Sequence, residues 1–199
     1  MSVLDVLVTG ATVLYSDTGT SLPDETSVAF GAYGSWSSWT TIGETATPVG
    51  VDHSKSYYAY ETQQRAYPTD MRIVAKATSI NFGVDELSGA MLALLLDGTN
   101  TPTSAGASQK AYNAITWGSN LTTTVKQWAF EGFRLDSEGT QQPVRCFVYK
   151  AVLSIAGEFV LNKGSHTVVP CTLYTFADTG KTAGQDTGLI HYVTAPATS

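Results

Sequence analysis

Three histidines, two cysteines and a scatter of carboxylates are the side chains with which this chain would do chemistry. His53, His166 and His191 have no metal-ligand spacing, and neither H-E-x-x-H nor C-x-x-C occurs. Paired carboxylates would serve glycoside hydrolysis. However, Asp85 and Glu86 are accounted for by a helix start, and Glu131, Asp136 and Glu138 read as solvated or capping groups in or beside a turn. No G-x-S-x-G nucleophile elbow is present. ADTGKTAG (177–184) lacks the G-x-x-x-x-G-K-[ST] pattern and precedes no long helix, so it is not read as a phosphate cradle. His166, in KGSHTVVP, reads as a strand start. Cys146 (CFVYKAVL) and Cys171 (VVPCTLYTF) sit in apolar runs and are expected as buried free thiols, since two cysteines make no disulfide framework. No catalytic residue, metal or cofactor is expected, and the chain is not read as an enzyme.

The elements that must carry these residues are mostly strands. At 199 residues with 43% hydrophobic and 14% charged residues, the chain can bury a core and is too apolar for disorder. Its many Thr, Val and Tyr suit half-buried pleated surfaces. The net charge of −6 is spread out, without the clustered Lys and Arg that gripping nucleic acid requires. The start, MSVLD, has no basic residue and is interrupted by Asp5, and no run approaches the length of a membrane span. The expectation is a chain made in soluble form.

Residues 3–15 alternate as a first strand with Gly10 as a possible bulge. Residues 16–39 turn to Gly, Ser, Asp and Pro around Phe30, Tyr33, Trp36 and Trp39; they read as a loop packed on a core or neighbour, with a glycan-stacking platform as the alternative. Two long strands follow, at about 48–61 and 71–82, joined by the polar tip TQQRAYPTD. A hairpin this long, spanning about 48–82, should project beyond the body, and an isolated hairpin is marginal in water. It therefore suggests a partner surface.

VDELSGAMLALLLDG (84–98) reads as a helix over about 85–97, capped by Asp85 and stopped by Gly98. Leu87, Ala90, Met91, Leu94 and Leu95 form one apolar face expected to pack on the flank of a sheet. TNTPTSAGAS is read as a loop. Further strands are expected near 110–117, 122–134, 143–156, 166–176 and 188–194, before a frayed tail at 195–199. With no internal repeat or linker, residues 1–199 read as one domain: β-rich, a mainly antiparallel sandwich or barrel, with one flanking helix.

This order resembles the phage tail tube proteins, the major tail proteins of long-tailed bacteriophages. The resemblance covers roughly residues 3–194 and rests on order and pattern. WTTIGETATPVGV is similar to the family's Trp/Gly segment entering its first long strand. The long hairpin SYYAYETQQRAYPTDMRIVAKATSINF runs directly into VDELSGAMLALLL, and GEFVLNKGSHTVVPCTLYTFADTG is similar to the family's penultimate strand. The resemblance implies packed antiparallel sheets with a flanking helix and self-assembly into hexameric rings. It implies that the rings stack as a hollow tube in the virion tail, assembled in the host cytoplasm. It implies an acidic lumen through which DNA slides unbound during ejection, contacts with other tail proteins such as the tape measure and tail terminator, and no membrane partner. It also places the hairpin tip (Glu61, Gln63, Gln64, Arg65 and Tyr67) against an adjacent ring. Two other readings stay open: a carbohydrate-binding or capsid-decorating β-sandwich using Tyr57, Tyr58, Tyr60 or the Trp36/Trp39 loop, and the inner tube of a contractile injection apparatus.

Overall fold

Period-two alternation puts Trp128 and Phe130 on one side of a strand and Ala129 and Glu131 on the other, and the whole architecture follows from keeping both sides covered. The computed structural model describes residues 7–25, 28–60, 67, 70–85, 88–119, 121, 123–135, 139–158 and 168–193. Among these the strands are β1 (Leu7–Ser16), β2 (Thr40–Glu44), β3 (Gly50–Tyr60), β4 (Asp70–Val84), β5 (Thr99–Thr103), β6 (Tyr112–Thr116), β7 (Val125–Leu135), β8 (Gln141–Ile155), β9 (Val169–Thr175) and β10 (Gly188–Tyr192). A helix, α1 (Gly89–Leu95), and a 3-10 turn at Tyr33–Ser35 complete the regular structure of the described residues. The protein is mainly antiparallel β, as expected. Among the described residues it has one large sheet of eight strands, and the second sheet is the hairpin β5–β6.

The large sheet runs β2-β1-β7-β8-β9-β4-β3. β10 joins β8 over Val144–Val148, while β9 takes Ala151–Ile155. Just beyond β2, Thr45 forms an antiparallel bridge with Val84 of β4, and the Ala46 N–H donates to the Gly83 carbonyl at 2.7 Å. The path from β2 to β4 therefore curls back on itself. Its concave side holds the main core, with Val13, Ile42, Ile80, Phe82, Trp128, Phe130, Val148, Leu153 and Leu173 drawn from six strands. Gly10 helps the bend: the register of β1 on β7 shifts between Val8 and Thr12, and Gly10 holds φ of +137°, a conformation costly for any residue with a Cβ.

The convex side of β1, β7 and β8 is also apolar, which leaves Leu14, Ala129 and Phe147 needing a cover. Residues 17–25 and 28–39 supply it. Val28 and Trp36 complete this second core, and Trp36 meets Phe147 at 6.0 Å and Trp39 edge-on at 5.6 Å. The aromatic loop is thus a strap over the sheet, as the packing reading anticipated.

The helix is shorter than the expected 85–97. Its N-cap is Ser88, whose Oγ accepts from the Met91 N–H at 3.1 Å, and Asp85 lies exposed at the end of β4 instead. At the far end Asp97 takes the left-handed conformation (φ +47°) and the Gly98 N–H donates to the Ala93 carbonyl at 2.7 Å, a Schellman closure. Gly98 is required for close approach: a Cβ there would stand 2.4 Å from the Thr116 carbonyl oxygen. The buried face also differs. Met91, Ala93 and Leu95 are buried, Leu94 is half-buried against the core, Ala90 is exposed, and Leu87 lies outside the described residues. The helix packs between β8 and the hairpin β5–β6, so two of its sides are covered and a single stripe does not describe it. Ser88→Ala should destabilise the protein by about 1 kcal/mol, read as a lowered urea midpoint at unchanged slope.

One strand falls where a loop was expected, and another in a stretch to which no element was assigned. TNTPT pairs as β5 with β6, and TTIGE pairs as β2 with β1. Cys146 and Cys171 are free thiols, half-buried and buried respectively, and burial pushes the Cys171 thiol up to about 12 and raises Cys146 as well. The thiolate is the reactive form. A thiol reagent at neutral pH should therefore label the native protein far more slowly than the urea-unfolded chain, Cys146 before Cys171. Two rapidly labelled native thiols would contradict this packing.

Candidate assembly surface

β3 and β4 leave the body together as a two-stranded arm. Residues 50–58 and 70–77 are exposed along their whole length, and burial begins only at Ile80. At about 3.3 Å per residue the arm's strands extend roughly 36 Å. A two-stranded ribbon open to water on both faces gains little from packing.

The outer half of the arm is apolar and aromatic. Tyr57 stands opposite Ile73 and Ala59 opposite Met71, with Val74 as the extra residue of a bulge. Tyr57, Met71 and Val74 are 53%, 57% and 64% exposed. On the neighbouring positions Tyr58 and Tyr60 meet edge-on at 4.9 Å, and the Arg72 guanidinium lies 5.4 Å from the Tyr60 ring centre. An exposed patch of this composition is a candidate interaction site. Nearer the body, Lys55 stands directly opposite Lys76, a like-charge pair that weakens the ribbon unless something neutralises it.

Of the tip residues singled out above, Tyr67 is 82% exposed. Glu61, Gln63, Gln64 and Arg65 lie outside the described residues. The lysine pair was not singled out at all. Its signal was available in principle, since Lys55 and Lys76 fall opposite each other once the hairpin register is known, but the bulge at Val74 hides that register from simple counting.

A second constellation lies beneath the strap. Thr12, Glu131, Arg145 and His191 form one cross-strand row over β1, β7, β8 and β10. Glu131 is 1% exposed and Arg145 fully buried, so Glu131 is not the solvated carboxylate that its neighbourhood suggested. Arg145 donates to Glu131 Oε1 from Nε at 2.8 Å, to Glu25 of the strap, and to the Val28 and Ala29 carbonyls at 2.9 and 3.3 Å. Glu131 Oε2 accepts from the Gly31 N–H at 3.1 Å, and His191 Nδ1 lies 2.6 Å from Glu25. The guanidinium also stacks 5.2 Å over Trp36. Burial pushes the Tyr33 phenol up to about 12, and its hydroxyl donates to Thr12 Oγ1 at 2.8 Å.

Chemically this row is a clamp. Each charged group is taken up by the next or by strap backbone, and it ties Glu25, Val28, Ala29 and Gly31 of the strap to the sheet. Trp36 is only 3% exposed, whereas Trp39 is half-buried, and both border an open cleft of about 470 Å³ together with Thr20, Ser21, Asp24 and Ser38. No helix among the described residues is long and apolar enough to cross a membrane. No protein-family model matches the chain, and no curated protein matches it significantly.

Proposed function

We propose that this chain is a structural subunit of a bacteriophage tail tube, assembling through its arm into hexameric rings that stack as a conduit for DNA. The observation that carries the reading is the β3–β4 arm, exposed on both faces yet bearing Tyr57, Met71, Ile73 and Val74. A monomer gains nothing from such an arm, whereas a second copy would bury its apolar half and stabilise it.

Three features agree with this. The curled path closed at Thr45–Val84, with α1 on its side, suits the closed β body of the tail tube family. The chain leaves β2 and β3 as the outer strands of its sheet order, and a head-to-tail ring covers such edges. Its acidic balance suits a wall past which DNA slides. In this role the protein is not an enzyme; its partners are further copies of itself and the other tail proteins. Negative-stain microscopy of the purified protein should show rings or tubes. A chain that remains monomeric at all concentrations sinks the proposal.

A further inference from the structure

The arm differs in charge from the rest of the chain. Residues 50–81 carry Lys55, Arg65, Arg72 and Lys76 against Asp52, Glu61 and Asp70, a net of +1 in a chain of −6, so the remainder carries −7. Lys55 and Lys76 face each other across the ribbon, and neither has an ionic partner among the described residues. At the other end of the arm, where β4 enters the body, an open cleft of about 440 Å³ is lined by Glu44 and Asp85 together with Thr12, Tyr33, Thr41 and Thr45. Both carboxylates belong to exposed residues and are likewise without an ionic partner among the described residues.

The lysine pair and this pair of acidic residues therefore stand on one chain, each without an ionic partner among the described residues. They cannot satisfy one another within it. From Lys76 to Asp85 the extended strand covers about 30 Å, well beyond the reach of a lysine side chain. Between copies the match is direct, and contact between two different patches of identical chains is head-to-tail, the type that propagates into rings.

We propose that Lys55 and Lys76 on the arm of one copy dock against Glu44 and Asp85 of the next. The contact rests on the assembly reading above and adds to it the residues that set polarity and partner. It neutralises the cross-strand lysine pair, so the arm is completed by its neighbour. Being near the surface, it weakens as salt shortens the screening length.

Two reversed proteins test it: Lys55→Glu with Lys76→Glu, and Glu44→Lys with Asp85→Lys. Each carries like charges on both patches and should need at least roughly tenfold more protein than wild type to assemble, by light scattering and negative stain. Mixed in equal amounts they should assemble again, because each arm then meets an opposite cleft. Wild-type urea midpoints confirm that the substitutions leave the fold alone, and recovery in the mixture shows it independently. Wild-type assembly that neither reversal disturbs, or a mixture that stays dispersed, overturns this contact and leaves the assembly reading standing. A wild-type protein that never assembles overturns both. Loss of DNA affinity with assembly intact in the lysine variant would give the pair to nucleic acid and overturn the contact as well.

Discussion

Replacing Arg145 with methionine is expected to destabilise this protein by about 3–5 kcal/mol, the cost of leaving a buried charge without its partner. Methionine fills much of the volume but offers no donor. Among the described residues, Glu131, which is 1% exposed, would be left with the Gly31 N–H and the Tyr33 hydroxyl, and Glu25 with His191. The Val28 and Ala29 carbonyls would lose their donor in the same step. With a urea slope of about 2 kcal/mol per molar, the midpoint should fall by roughly 2 M. Arg145→Met combined with Glu131→Gln should recover part of this loss, because an amide costs less to bury than a carboxylate. A midpoint that moves no more than that of an exposed-pair variant such as Lys126→Met would refute the clamp, since exposed ion pairs contribute little. Hydrogen exchange supplies the spatial test: the strap at 28–39 should lose protection first, as its attachment to the sheet runs through this guanidinium.

Deleting residues 62–69 is expected to abolish ring stacking while the subunit stays folded. The described part of the arm buries no side chain before Ile80, so its outer half adds nothing to either core. The urea midpoint should stay within about 0.5 kcal/mol of wild type. Light scattering and negative stain should show tubes replaced by single rings or smaller species. Serine at Tyr57, Met71 and Ile73 should act in the same direction, since these side chains form the exposed apolar half. Normal tubes from the deletion would remove the tip from the stacking interface and leave the lysine-bearing half of the arm to be tested separately.

These two experiments probe opposite kinds of residue, and the difference explains what could be read in advance. The long strands, the projecting hairpin and the bulge at Gly10 follow from alternation and turn composition, which are local properties. The strands β2 and β5 escaped because Thr, Pro and Gly dominate them, and pairing with β1 and β6 overrides that weak propensity. The helix start was misplaced by three residues because Asp85 and Ser88 are both competent caps. Only packing between β8 and the β5–β6 hairpin selects Ser88, and it also swaps Ala90 for Ala93 on the buried face.

The amino-acid sequence by itself determined that this is a β-rich chain with one apolar helix, a long exposed hairpin and no recognisable catalytic motif. Those properties reside in neighbouring residues. Tertiary structure alone decided that Glu131, Arg145, His191 and Glu25 meet, because strand register and a returning strap bring together positions as distant as 25 and 191. It alone set Lys55 opposite Lys76 and left both far from Glu44 and Asp85. Register depends on pairing across the whole sheet, and a single bulge shifts every contact beyond it.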